Sequence, residues 1–194
     1  MRELLVARHG ESELNVDNVL NGDPSLRVRL TDRGREQARV LGKRVGPVDL
    51  VAHTAFDRTR ETAELAWPGA PLLVVPELNE ISFGRWEGTR WSDGYDAWVR
   101  SAGPEEACPG GGESRLAAAR RYVRGFRRLL ERPEERIALV AHGAQVRYVL
   151  LAAAGRPPTA VLEHILPAEP HVLDRGELER AIDVLEAWAV SPAF

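Results

Sequence analysis

The chain has 194 residues, 44% of them hydrophobic and 28% charged, with a net charge of -3. That length supports one full core rather than two domains, and the slightly acidic balance offers no basic field for nucleic acid or a membrane surface. A single cysteine, Cys108, excludes a disulfide framework and a thiolate zinc site. No apolar run nears the roughly 20 residues of a spanning helix, and Met1-Arg2-Glu3 leads into the first apolar stretch without a signal-peptide core. A cytoplasmic protein with one domain over 1–194 is expected. All but one of the 26 basic residues are arginine, Lys43 being the exception. This reads as compositional bias.

In chain order, Leu4–Arg8 is a buried strand, and Asn15–Leu30 is irregular with a turn at Asn21-Gly22-Asp23-Pro24. Thr31 caps a helix through Val45, with Ala38, Leu41 and Val45 on one face. Asp49–His53 is a strand, Arg58–Ala66 a helix stopped by Pro68-Gly69, and Leu72–Val75 a third strand. Residues 83–113 form a lid-like excursion carrying Trp86, Trp91, Tyr95, Trp98 and Pro109-Gly110-Gly111-Gly112, with a short helix at Trp91–Arg100. Ser114 caps a helix through Leu130 whose stripe is Ala119, Val123, Phe126 and Leu130. Ile137–Ala141 is a fourth strand and Val146–Ala154 a helix closed by Gly155 and Pro157-Pro158. Segments around Ile165 and at Ala181–Val190 are read as closing strands. The alternation predicts an α/β fold, a three-layer αβα sandwich on a mostly parallel central sheet with helices on both faces.

Two histidines stand out. Arg8-His9-Gly10 and His142-Gly143 each follow an apolar run, so both rings arrive at the ligand-binding edge of a parallel sheet. One site built from both ends of the chain follows, and such a pair suits phosphoryl transfer to an imidazole. A neutral imidazole, with a pKa of about 6.5, is a competent nucleophile near neutral pH. Either histidine alone, or Arg58 alone, reads as an ordinary core or helix residue; the combination does not.

The accompanying residues are Asn15, the segment His53-Thr54-Ala55-Phe56-Asp57-Arg58-Thr59-Arg60-Glu61-Thr62-Ala63, Leu78-Asn79-Glu80, and Gly84-Arg85-Trp86-Glu87-Gly88. With these motifs in this order, the chain resembles the histidine phosphatase superfamily, the phosphoglycerate mutase-like group, over essentially its whole length. The resemblance implies that fold. It also implies a phosphate pocket of Arg8, His9, Arg58 and His142, with His9 as nucleophile and Glu80 as acid and base. Asn15 and Gly143 fall at phosphate-contacting positions, although a helix-capping asparagine has the same appearance as Asn15.

Arginine suits the planar spread of charge on a transferring phosphoryl group, and a protonated His142 adds a third donor. Fixed cations then stand where a metal would, so neither metal nor cofactor is expected. Glu77 and Glu87 compete with Glu80 for the acid; the Leu-Asn-Glu match favours Glu80, and Glu87 is expected to order the Trp86 turn. His53 departs from the family's small hydroxyl residue and is read as a surface histidine at a strand end. Trp91, Tyr95 and Trp98 form either a substrate wall or packing for the excursion, with packing preferred. Arg120-Arg121 and Arg127-Arg128 are read as exposed helix charges.

The short segment between Glu87 and Glu113 resembles the phosphatase branch. The expected activity is metal-independent hydrolysis of a small phosphorylated metabolite through a phosphohistidine on His9. A phosphoglycerate mutase-type transfer is the alternative, and a non-catalytic phosphate-binding module ranks below both. The only partner expected is the small-molecule phosphomonoester. Oligomeric state stays open, a homodimer included.

Overall fold

The computed structural model describes residues 1–160 and 164–194. Twelve elements follow one another: β1 (Glu3–Arg8), α1 (Glu13–Val16), α2 (Asp32–Val45), β2 (Leu50–His53), α3 (Asp57–Ala66), β3 (Leu72–Val74), α4 (Tyr95–Ser101), α5 (Arg115–Leu130), β4 (Arg136–Ala141), α6 (Gly143–Ala153), β5 (His171–Asp174) and α7 (Arg175–Val190). Single 3-10 turns lie at Pro76–Leu78 and Gly84–Trp86.

The sheet order is β3-β2-β4-β1-β5. The first four strands run parallel, while β5 closes the edge antiparallel to β1. In register, Arg8 lies opposite Ala141 and His53 opposite Val140, so β1, β2 and β4 end together. Alternation along the strands divides the core. Leu4, Val6, Ala52, Ile137 and Leu139 face α5, α6 and α7. Leu5, Ala7, Val51, Ala138 and Val140 face Leu41 of α2 and Ala63 and Ala66 of α3. Each fully buried Leu or Ile contributes about 1.5–3 kcal/mol of transfer free energy, so both faces hold the sheet. The three-layer expectation stands.

The helix caps agree with the sequence. Thr31 accepts from Gly34 N and Ser114 from Ala117 N. One turn of helix, α1, interrupts the stretch read as irregular. The expected closing strands are corrected. The segment around Ile165 contributes no strand, only an isolated bridge between Arg8 and Pro167. Ala181–Val190 is helical and belongs to α7, which buries Leu178, Ala181, Ile182, Leu185, Trp188 and Ala189 at helical spacing. The strand that closes the sheet is the four-residue β5 just before it.

Candidate active site

His9 follows the last residue of β1, where the chain leaves the sheet. Gly10 is glycine because α2 passes close by: a Cβ there would lie 2.5 Å from the Gly34 carbonyl oxygen. The His9 ring is buried and its Nδ1 lies 2.7 Å from Gly10 O. Arg58 Nε donates to His9 Nε2 at 3.1 Å. A guanidinium only donates, so Nε2 holds the lone pair and Nδ1 carries the hydrogen. Burial first, then the charges of Arg58 and Arg8, depress the His9 pKa well below the usual imidazole value. The ring is neutral at pH 7 with Nε2 available.

His142 caps α6 and is fully buried, packed edge-on against His9 (centroids 5.3 Å apart) and Phe56 (4.6 Å). Its Nδ1 accepts from Arg58 Nη2 at 3.2 Å, so Nε2 carries the hydrogen and donates to Thr54 Oγ1 at 2.9 Å. The order of donors continues outward. Thr54 donates to Thr59 Oγ1 at 2.9 Å, and Thr59 to Phe56 O at 2.8 Å. Burial and the Arg58 charge hold the His142 pKa well below its usual value too. Here it is neutral and accepts, in contrast to the protonated donor expected from sequence.

Arg58 ties the cluster together. Besides both histidines, its Nη1 donates to Asn21 Oδ1 at 2.5 Å and its Nη2 to Asn21 O at 3.0 Å. The Phe56 ring lies 4.3 Å below its guanidinium carbon. Burial lowers its pKa to about 10, the Glu80 charge acting the other way, so it stays cationic at neutral pH. Arg8 Nη1 donates to Ile165 O at 2.9 Å and lies 3.3 Å from His164 Nε2. Its buried Nε has no hydrogen-bond partner among the described residues.

Glu80 sits on the turn after the Pro76–Leu78 helix, half-buried, with Oε1 accepting from Ile81 N at 3.0 Å. Burial raises its pKa; that bond and the charges of Arg58, Arg8 and Arg121 oppose the rise. Desolvation therefore favours the protonated form a general acid needs.

The remaining candidates divide. Asn15 stands in α1 with Oδ1 bonded to Ser12 N (3.1 Å) and Ser12 Oγ (2.9 Å), a capping arrangement. Gly143 opens α6, and a Cβ there would meet nothing within 4 Å. His53 is 4% exposed, not a surface residue, because it ends a strand buried along its length; its Nδ1 bonds to Thr54 O at 2.7 Å. Tyr95 is buried in the excursion with Phe83, Trp86, Trp91 and Trp98 packed around it. Glu87 orders its turn as expected, accepting from Phe83 N and Gly22 N, both at 2.8 Å. Arg121 is also corrected: it is half-buried and paired with Glu113.

Sequence reasoning missed Asn21, Thr54, Thr59 and His164 as neighbours of the pocket. Asn21-Gly22 carries only a turn signal, and the threonine hydroxyls gain meaning only once β2 lies beside β4. Among the described residues no group of three or more His, Cys, Asp or Glu side chains is gathered as for a metal. Nor is any described helix long and apolar enough to cross a membrane.

Fold and pocket together define a phosphoglycerate mutase-like α/β protein. The chain belongs to the histidine phosphatase superfamily, whose branch 1 model matches residues 4–186. It is 33% identical to the adenosylcobalamin/alpha-ribazole phosphatase of Salmonella typhimurium over 96% of this chain and 92% of that one. A 2,3-bisphosphoglycerate-dependent phosphoglycerate mutase of Methylobacterium is 32% identical over 79% and 81%. The crystal structure of the alpha-ribazole phosphatase from Shigella flexneri superimposes with a TM-score of 0.74 at 28% identity, covering 89% of this chain and 90% of that chain.

Proposed function

We propose that this histidine phosphatase hydrolyses a small phosphorylated metabolite through a phosphohistidine on His9. The observation that carries the reading is the lone pair of His9 Nε2, fixed by the Gly10 carbonyl on one side of the ring and turned toward Arg58 on the other. A phosphoryl group entering beside Arg58 and Arg8 meets the nucleophile and two cations at once. Its dianion replaces the imidazole acceptors on Arg58, and charge developing on the equatorial oxygens is held by donors already in place. The α6 N-terminus at Gly143 adds backbone N–H groups, and the Asn15 amide nitrogen supplies a further donor.

Glu80, protonated, gives its proton to the leaving alkoxide; the resulting carboxylate takes one from the water that attacks phosphohistidine. His142 turns its Nδ1 to the phosphoryl group once the dianion is bound, and that negative charge raises the affinity of its ring for a proton. The whole chain acts as one domain, with residues 83–113 as its lid. Free thiol chemistry at a lone, buried Cys108 suits a cytoplasmic setting.

A mutase reading is favoured by the phosphoglycerate mutase relatives, of Methylobacterium and Brucella among others; it requires dependence on a bisphosphate primer. The deciding experiment traps the enzyme during turnover of p-nitrophenyl phosphate. An acid-labile, alkali-stable phosphoenzyme that is absent in His9→Ala is expected. A fully active His9→Ala variant overturns the reading.

A further inference from the structure

One ion pair outside the phosphate pocket is turned toward the acid. Arg121 of α5 meets Glu113 side on, Nε to Oε1 at 3.0 Å and Nη2 to Oε2 at 2.5 Å, with the two side chains only 19% and 20% exposed. The rest of its guanidinium faces the turn that carries Glu80. Nη1 donates to Glu77 O at 3.0 Å and to Asn79 O at 2.8 Å, and Nη2 lies 3.4 Å from Glu80 O. The same turn is held from elsewhere. Gln145 of α6 donates to Asn79 O at 2.6 Å, and Asn79 Oδ1 accepts from Ala55 N at 2.9 Å.

One helical turn beyond Arg121, Gly125 lets α5 approach: a Cβ there would lie 2.6 Å from Leu78 Cγ. Glu113 N donates to Ser82 O at 2.9 Å, so the end of the excursion is fastened just past the acid. An exposed ion pair between two mobile side chains contributes little and orients nothing. This one closes a ring of bonds around three carbonyls.

We propose that Arg121, clamped by Glu113, is a positioning residue for Glu80: it fixes the backbone from which the acid projects, and so fixes where the proton meets the leaving oxygen. The proposal rests on the phosphomonoesterase reading with Glu80 as acid. The charged or titratable groups facing Glu80 are Arg8 from β1, Arg58 from α3, Tyr95 from α4, and Arg121 and Tyr122 from α5. Of these, Arg121 is the one that reaches Glu80's own main chain. A neutral side chain of similar reach leaves the carbonyls of Glu77 and Asn79 without their cation and lets the turn relax.

The test compares two esters by kcat/KM, which reports the transfer to His9. p-Nitrophenol is acidic enough to leave without a proton, whereas the alkoxide of glycerol 2-phosphate is not. Glu80→Gln is expected to lose about 10²-fold or more on glycerol 2-phosphate and less than about 3-fold on p-nitrophenyl phosphate. Arg121→Gln should show the same selectivity with a loss of about 10- to 100-fold, the scale of a misplacement near 1 Å. Arg121's charge lowers the Glu80 pKa, so the alkaline limb for glycerol 2-phosphate moves up in Arg121→Gln and returns toward wild type in Arg121→Lys.

Glu113→Gln repeats the selectivity more weakly and carries the test should Arg121→Gln fail to fold. Folded Arg121 and Glu113 variants that lose equally on both esters, or on neither, overturn the proposal while Glu80→Gln stays selective. A Glu80→Gln variant without selectivity overturns the acid assignment itself and this proposal with it.

Discussion

Replacing Thr54 by valine removes one hydroxyl from the middle of a donor chain and leaves its shape intact. Thr54 Oγ1 accepts the His142 Nε2 hydrogen and donates to Thr59 Oγ1, both at 2.9 Å. Thr59 is little affected, because its own hydrogen still goes to Phe56 O. His142 is affected. Its Nε2–H becomes a buried donor without a partner, at a cost of about 1–3 kcal/mol. In a chain of this size each kcal/mol moves Tm by about 2–4 °C, so a fall of about 2–12 °C is expected. The alternative tautomer offers no escape, since a hydrogen on Nδ1 would point at the Arg58 Nη2 donor. Calorimetry gives the Tm, and the imidazole nitrogen shifts of His142 give its tautomer directly. kcat/KM should fall about 10-fold, and Thr54→Ser should restore all three readings. A Thr54→Val protein with wild-type Tm and unchanged His142 shifts would refute the assigned donor order.

Arg58→Lys keeps the charge but gives up the fork that reaches His9 and Asn21 together; kcat/KM should fall by about 10²–10³-fold, and a loss under 10-fold would contradict bidentate holding. His9 and His142 have folded pKa values well below 6.5, so the unfolded chain binds more protons in mild acid. Their contribution is present above the unfolded pKa of about 6.5 and is lost as pH falls from there toward the folded values, by up to about 1.4 kcal/mol per pH unit for each ring. Tm should therefore drop between pH 7 and pH 5, less steeply in His142→Gln; equal slopes would refute this. Glu80, with its pKa raised by burial, contributes stability only below its unfolded pKa and loses it as pH rises, so Glu80→Gln should melt higher than wild type at pH 7. Turnover should be unchanged in excess chelator; a loss reversed by a divalent cation would bring a metal into the mechanism.

Strand ends and caps were readable because each depends on neighbours in sequence. Leu4–Ala7 and Ile137–Ala141 are continuous apolar runs of the kind buried parallel strands have, and Thr31 and Ser114 are caps by chemistry. The misread α7 shows how apolar density can hide period. Ala181–Val190 is so rich in apolar residues that it passes for a strand, yet Leu178, Ala181, Ile182 and Leu185 keep helical spacing, and Asp174 with Glu177 forms a capping box. The candidate site residues could be named from motifs, but their protonation could not. It depends on Arg58, reaching from α3 to rings that follow β1 and β4. Arg121 was misread for the same reason: a charge on an amphipathic helix looks solvated until the Glu80 turn is laid against it.

The pairing of β1 with β4 makes catalytic competence a late event in the life of each molecule. The strand that delivers His9 is synthesised before the other four, yet it has no sheet neighbour on either side until residues 136–141 emerge and insert between it and β2, and β5 follows later still. Such distant pairing is slow, because a long loop must close before any contact rewards it. Regain of esterase activity after dilution from denaturant should therefore lag behind recovery of helical circular dichroism, and turnover becomes a clock for completion of the sheet.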